Sequence, residues 1–308
     1  MVVKSGRDSK GSEFKARPEL TCGGSAANTA MILSQLGVSV AFVGAVGRDA
    51  FGNIVAGSLS AAGVDTSKLI QLDDAYTTVV IAVVYLDGTH TMKGWPLDGA
   101  ADLMLESSHG DISVFDNPIW LHSTGLSIVK DPTRETVLRA MNYARSQGVP
   151  VSFDLNMHGS LGHIDGMLKK QYEHNLRKAI ELSDCVFGSA SDEIALLYPQ
   201  ENMTQAVRGL AGTTRTAISR RGELAAICAS VSELIESKPF QVDTVDTIGA
   251  GDAFNAGFIA AQLEDLSIEK SLQWGHATAG LSIKTVGSVG KFDRTDVLRF
   301  IEQQPKLV

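Results

Sequence analysis

Hydrophobic residues recur at two different spacings along the chain. Short apolar runs, several of them rich in β-branched residues, predict buried strands at 38–43, 119–125, 149–153, 185–187 and 216–219. Apolar residues at helical spacing predict helices at 25–36, 133–147, 171–182 and 271–284. Strands that alternate with helices are typical of an α/β protein with a mostly parallel sheet covered by helices. Because no repeat or low-complexity linker interrupts this order, we expect one domain over residues 1–308.

Two stretches depart from this alternation. Residues 77–86 are rich in valine and alternate in polarity, residues 87–88 are Asp-Gly, and the chain then returns over 89–95. This pattern predicts a β-hairpin. Residues 1–19 crowd charged residues together with glycine and serine, so we expect them to be mobile or only weakly extended.

A string of small residues, 246–252, leads into an apolar helix that we expect to start near Asp252. Gly249, Ala250 and Gly251 are small, so another molecule can approach the backbone closely. The first N–H groups of a helix lack partners within it, and its dipole is positive there, which favours binding of an anion such as phosphate. The Asp252 carboxylate has two interpretations: a helix cap that contributes about 1 kcal/mol, or a base held beside a phosphate.

A second glycine-rich stretch lies near the start of the chain. Gly23 and Gly24 precede Asn28 within the first predicted helix, and Gly37 and Gly47 follow. A glycine pair lets a polyhydroxyl ligand lie against the backbone, and an amide side chain both donates and accepts hydrogen bonds. A tight turn with no ligand is the other interpretation of the pair.

Composition and charge narrow the classes of partner. The 308 residues are 44% hydrophobic and 20% charged, with a formal net charge of −8. We therefore expect neither nucleic acid nor a membrane as a partner, and there is no apolar run near the roughly 18 residues that a membrane span needs. The three cysteines are far apart and lack metal-ligand spacing. With no signal peptide, they indicate reduced thiols in a cytoplasmic protein.

The two glycine-rich motifs together resemble one protein family. Residues 246–258 resemble, nearly residue for residue, the C-terminal signature of the ribokinase-like (PfkB) carbohydrate kinases, and residues 23–47 match the spacing of the N-terminal signature. The resemblance implies a ribokinase-like three-layer α/β/α sandwich with a small β lid at roughly 10–22 and 75–96. It also implies ATP-dependent phosphorylation of a hydroxyl on a sugar or sugar-like molecule, as in fructokinases, ribokinases and 2-keto-3-deoxygluconate kinases.

The resemblance also implies roles for individual residues. Asp252 would be the general base, and the transferred phosphoryl group would face Gly249, Ala250 and Gly251. The sugar would contact Gly23, Gly24, Asn28 and Gly125. ATP and its ions would contact Gly222, Asp246, Thr247, His276 and Glu193. Glu193 would hold Mg²⁺ through water, and in some members a monovalent cation such as K⁺ lies where Asp246 and Ile248 stand. Lid hairpins pair in some members, which suggests a homodimer.

Several positions depart from the family pattern. Most members begin with a strand that ends in a sugar-binding aspartate, so we expect this first strand to be missing or truncated here. Histidine replaces an arginine at His158, and alanine replaces an asparagine at Ala190 and a glycine at Ala225. Two alternatives therefore stay open: a nucleoside kinase of the adenosine type, which shares both signatures, and a weakly active or inactive relative that binds sugar or nucleotide. The sequence does not name the sugar.

Overall fold

The chain folds into two compact units. The computed structural model describes residues 2–5, 20–85, 90–95, 99–108, 117–157, 163–164 and 167–303. Unit 1 comprises Met1–Asp102, Gln241–Gly257 and Ala277–Val308, and unit 2 comprises Leu103–Phe240 and Phe258–His276.

Strands and helices alternate along most of the described chain. The strands are β1 (Val2–Ser5), β2 (Ala41–Gly47), β3 (Asp65–Leu72), β4 (Val79–Tyr85), β5 (His90–Trp95), β6 (Leu121–Thr124), β7 (Val151–Asp154), β8 (His163–Ile164), β9 (Met167–Leu168), β10 (Cys185–Ser189), β11 (Thr216–Arg220), β12 (Ala226–Ala229) and β13 (Leu234–Ser237). The helices are α1 (Ser25–Gln35), α2 (Ala50–Ala61), α3 (Thr133–Ser146), α4 (Lys170–Glu181), α5 (Ala195–Leu197), α6 (Met203–Ala211), α7 (Ala250–Leu263), α8 (Ile268–Ser282) and α9 (Arg294–Gln303). The four helices predicted from apolar spacing correspond to α1, α3, α4 and α8, with ends that differ by a few residues, and the helix predicted to start near Asp252 is α7.

Unit 1 contains two small sheets among its described residues. In the first, β1 runs parallel to β4, and β4 pairs antiparallel with β5, with Val79 opposite Trp95. In the second, β2 and β3 are parallel. The predicted hairpin is present as β4 and β5, while its turn at 87–88 lies outside the described residues. The strand predicted at 38–43 begins later, at Ala41, where the pairing with β3 is irregular.

The start of the chain contributes one short strand. Residues Val2–Ser5 form β1, with Val2 opposite Ala82 of β4. Residues 6–19, which include most of the first predicted lid element, lie outside the described part of the chain. The expected loss or truncation of a first sheet strand therefore stays a prediction.

Unit 2 is built on a six-stranded sheet with the order β13-β12-β11-β10-β7-β6. Strands β6, β7, β10 and β11 are parallel, while β12 and β13 continue the sheet in antiparallel pairing. The four parallel strands are those predicted from their apolar runs, as expected for strands covered on both faces. The expected α/β class with a mostly parallel sheet is thereby confirmed.

Aromatic side chains fill the core of unit 2. Phe153 of β7, Phe187 of β10 and Phe258 of α7 are buried. The rings of Phe187 and Phe258 meet edge to face, with centroids 5.4 Å apart. Such pairs add about 0.5–1.5 kcal/mol beyond the burial of their area. This contact fixes the second half of α7 against the sheet of unit 2.

Two glycines of α2 provide a matched test of packing in unit 1. A Cβ at Gly52 would lie 2.0 Å from the carbonyl oxygen of Gly47, whereas a Cβ at Gly57 would meet nothing within 4 Å. We expect Gly52→Ala to lower the free energy of unfolding by roughly 1–3 kcal/mol through overpacking. Gly57→Ala should raise it by roughly 0.5–1 kcal/mol, since alanine favours the helix. Urea unfolding measures the free energy of unfolding of both variants. Equal changes in the two variants would contradict the close contact at Gly52.

Candidate active site

The Asp252 carboxylate is the point at which the two glycine-rich motifs meet in unit 1. Helix α7 starts at Ala250, two residues before the predicted start, so Asp252 lies in its first turn. The Ser25 hydroxyl donates to Oδ1 of Asp252 at 2.5 Å, and Nδ2 of Asn28 donates to Oδ2 at 2.7 Å. Asn28 and Asp252 are buried, at 4% and 7% exposure. These two hydrogen bonds from α1 fix the orientation of the carboxylate.

Ser288 orients the amide of Asn28. Its hydroxyl lies 3.0 Å from Oδ1 of Asn28 and 3.1 Å from the carbonyl oxygen of Cys22, and it donates toward both acceptors. The amide oxygen therefore faces Ser288, and the amide NH₂ faces the carboxylate of Asp252. Ser25 and Ser288 are functional candidates that the motifs alone did not single out.

A close backbone approach holds this arrangement together. Gly249 has φ +80°, and a Cβ there would lie 2.3 Å from the carbonyl oxygen of Ser288. Only glycine therefore fits without a shift of the chain. The amide of Ala250 donates to the carbonyl oxygen of Thr247 at 3.2 Å.

The glycine pair lies at the start of α1. Gly24 has φ +99° and is the N-cap of the helix, and its carbonyl oxygen accepts from the amide of Asn28 at 2.8 Å. A Cβ at Gly23 would meet nothing within 4 Å, and both glycines are exposed. Their backbone is thus open beside Ser25, but their role as sugar contacts stays a prediction.

Asp246 joins two loops of unit 1. Its side chain is buried, and its two oxygens accept from the amides of Ile248 and Gly287, each at 3.1 Å. Ile248 packs against Ala82 of β4. The Asp246–Ile248 segment, where the family resemblance implies a monovalent cation, thus contacts both the loop at Gly287 and β4.

In unit 2, two buried carboxylates share one guanidinium. Arg220 donates to both oxygens of Asp154, at 2.7 and 2.9 Å, and lies 3.6 Å from Oε2 of Glu193. Glu193 also accepts from the amides of Met157 and Ser189, at 2.8 and 2.5 Å. Any direct coordination of a metal by Glu193 would compete with these bonds.

Asn156 stands out beside this cluster. It has φ +34°, which is uncommon for a residue other than glycine, and its buried Oδ1 has no hydrogen-bond partner among the described residues. A buried polar atom without a partner costs free energy, and such strain concentrates at functional sites. Asn156 lies two residues before His158, the position at which histidine replaces the family's arginine and which is outside the described residues.

Gly125 and Gly222, two further predicted site residues, also lie in unit 2. A Cβ at Gly125 would lie 1.8 Å from the carbonyl oxygen of Leu155, so this glycine permits a close backbone contact. Its own carbonyl oxygen accepts from the Tyr172 hydroxyl at 3.1 Å, and burial raises the pKa of that hydroxyl, which keeps it a donor. Gly222 has φ +60° beyond the end of β11, with open space around it. The sugar and nucleotide roles of Gly125 and Gly222 stay predictions.

The described residues set limits on ions and membranes. They contain no group of three or more His, Cys, Asp or Glu side chains placed to hold a metal ion. Within the same part of the chain, no helix has both the length and the apolar character that crossing a bilayer requires.

Neighbouring arginines at the end of β11 allow a matched test of the buried ion pair. Arg220→Met should lower the free energy of unfolding by roughly 3–5 kcal/mol, because it removes the guanidinium that faces two buried carboxylates. Among the residues that the structure describes, Arg221 donates only to the carbonyl oxygen of Ala225, at 3.3 Å, so Arg221→Met should cost about 1 kcal/mol or less. Urea unfolding measures both, and similar losses would contradict a specific role for Arg220.

The buried side chain of His276 should make the stability of the protein depend on pH. Burial lowers the pKa of His276 to about 4, while its Nε2–H donates to the carbonyl oxygen of Ser237 at 2.9 Å. An unfolded histidine titrates near 6.5, so the unfolded chain gains a proton first and stability falls as the pH drops from about 6.5 to 4. His276→Gln should reduce this slope by up to about 1.4 kcal/mol per pH unit. Unfolding curves of both proteins at several pH values test this, and an unchanged slope in His276→Gln would contradict it.

Known proteins match the chain along most of its length. A family model described as pfkB family carbohydrate kinase matches residues 6–293. A fructokinase of Salmonella typhimurium is 31% identical over 243 residues, which are 78% of this chain and 76% of that protein. A 5-dehydro-2-deoxygluconokinase of Clostridium botulinum (strain Alaska E43 / Type E3) is 27% identical over 277 residues, 85% of this chain and 78% of that protein.

A solved structure agrees with the fold. The crystal structure of a fructokinase from Vibrio cholerae O395, in a form bound to fructose, ADP and calcium ion, has a TM-score of 0.79 and 23% identity to this chain. The match covers 97% of this chain and 96% of that one. The resemblance to ribokinase-like kinases is therefore confirmed. The chain belongs to the pfkB family and is a carbohydrate kinase.

Proposed function

We propose that the protein transfers the γ-phosphoryl group of ATP to a hydroxyl of a sugar, with Asp252 as the general base. The observation that carries this proposal is the Asp252 carboxylate in the first turn of α7, held by Ser25 and Asn28. A positioned carboxylate beside small residues at a helix start combines a proton acceptor with a place for an anion.

The reaction follows from this placement. The sugar hydroxyl gives its proton to Asp252 as its oxygen forms a bond to the γ-phosphorus, while the bond from that phosphorus to the β–γ bridging oxygen breaks and ADP leaves. First-turn amides of α7, including that of Gly251, face the charge on the transferring phosphoryl oxygens. Because such transfer needs little covalent help from the protein, alignment of the hydroxyl with the phosphorus matters most.

Fructose is the first sugar to test. A fructokinase and a 5-dehydro-2-deoxygluconokinase are among the relatives, so a ketose or a keto sugar acid fits the family evidence. A nucleoside kinase of the adenosine type remains the second candidate, because it shares both motifs. A panel of fructose, ribose, 2-keto-3-deoxygluconate and adenosine, with ATP and Mg²⁺, separates these candidates by ADP release.

Mg²⁺ belongs to the proposal as the ion that accompanies ATP, neutralising charge on its phosphates when bound. Oxygen ligands suit Mg²⁺, and the Oδ1 of Asn156 is a buried oxygen that lacks a partner among the described residues. Glu193 suits a role in which it contacts Mg²⁺ through water, since its oxygens already accept from backbone amides.

K⁺ is the proposed monovalent ion at Asp246 and Ile248. A homodimer through the lid rests on the family resemblance alone.

Removal of the proposed base gives a direct test. Asp252→Asn keeps the shape of the side chain but cannot take a proton, so turnover should fall roughly 10²–10⁴-fold while ATP still binds. ADP release and nucleotide-binding calorimetry measure the two properties. Asp265→Asn is the matched control, since Asp265 is an exposed residue just beyond the same helix and has φ +55°, which asparagine also adopts. Full turnover in Asp252→Asn would remove Asp252 from the mechanism.

A further inference from the structure

We infer that Ser25 occupies the place of the acceptor alcohol on Asp252 in the sugar-free enzyme and thereby limits transfer of the phosphoryl group to water. This inference rests on the proposed function of Asp252 as the base. It gives Ser25 a role in the choice of acceptor that neither glycine-rich motif assigns.

The geometry of the contact resembles the one that a substrate must make. The Ser25 side chain is a primary alcohol, and it donates to Oδ1 of Asp252 at 2.5 Å. The other oxygen, Oδ2, accepts from Asn28, which is itself buried and held by Ser288. Ser25 is only partly buried. Of these two donors, Ser25 is therefore the one that an incoming sugar hydroxyl can replace.

Helix capping does not account for the Ser25 contact. The N-cap of α1 is Gly24, and Ser25 is the first residue of the helix proper. Its hydroxyl bonds to a residue 227 positions away instead of to its own helix. One turn later, the hydroxyl of Thr29 contacts the same residue through the backbone oxygen of Asp252, at 3.4 Å. Thr29 thus touches Asp252 without touching its carboxylate.

Water competes with the sugar as acceptor of the phosphoryl group, and the contact between Ser25 and Asp252 limits this competition. A water molecule on Oδ1 would give one proton to Asp252 while its oxygen forms a bond to the γ-phosphorus. The bond from that phosphorus to the β–γ bridging oxygen would break, so that ADP and inorganic phosphate leave. The Ser25 hydroxyl holds Oδ1 when no sugar is bound. A sugar fixed by its other contacts has a high effective concentration, so it can displace Ser25 where a single water molecule cannot. Exclusion of water from reactive groups is a general function of closed active sites.

The test compares hydrolysis of ATP in the absence of sugar. Wild type, Ser25→Ala, Ser25→Thr and Thr29→Val are incubated with ATP and Mg²⁺ alone, and ADP release is measured. We expect Ser25→Ala to raise hydrolysis roughly tenfold, since it removes a hydrogen bond to a charged group. Ser25→Thr keeps a hydroxyl and should stay near the wild-type rate, as should Thr29→Val.

Two outcomes would overturn the inference. One is hydrolysis of ATP by Ser25→Ala at or below the wild-type rate, when a thermal unfolding curve shows that the variant is folded. The other is a rise that persists in Ser25→Ala/Asp252→Asn, because the water would then not be activated by Asp252. Phosphorylation of fructose by the wild type is measured in parallel. It tests the proposed function separately, so either idea can fail while the other stands.

Discussion

One buried carboxylate sets the geometry of the candidate active site. Burying a charge is costly unless hydrogen bonds replace the lost water, and Asp252 meets this need with Ser25 and Asn28. Both donors lie on α1, whereas the carboxylate lies on α7, so the requirement brings together segments from opposite ends of the chain. The same bonds aim the carboxylate, which is the property that a general base needs.

Close backbone contact and buried charge explain the surrounding loops. Gly249 lets the chain approach Ser288, and Ser288 in turn fixes which end of the Asn28 amide faces the carboxylate. Unit 2 follows the same rule, since Asp154 and Glu193 are buried beside Arg220. Within each unit, residues that the chain separates widely are thus held together by the need to satisfy buried charges.

Sequence reasoning predicted what local patterns encode. Apolar runs predicted the four parallel strands of unit 2, alternation predicted the β4–β5 hairpin, and the small residues before α7 pointed to Asp252. It missed β12 and β13, since Ala226–Ala229 contains one β-branched residue and Leu234–Ser237 is half polar, so neither stands out as an apolar run. Serine is common, and Ser25 matters only through a contact made in the folded chain. The pairing of Arg220 with Asp154 likewise depends on strand order, which no single stretch encodes.

A crystal structure with fructose and a non-hydrolysable ATP analogue tests the role of Asp252 most directly. The account predicts a fructose hydroxyl within hydrogen-bonding distance of Oδ1 of Asp252, in line with the γ-phosphorus, and Ser25 displaced from that oxygen. The account would be contradicted by a fructose hydroxyl that is aligned with the γ-phosphorus but hydrogen-bonded to a different side chain, while Asp252 is still bound to Ser25.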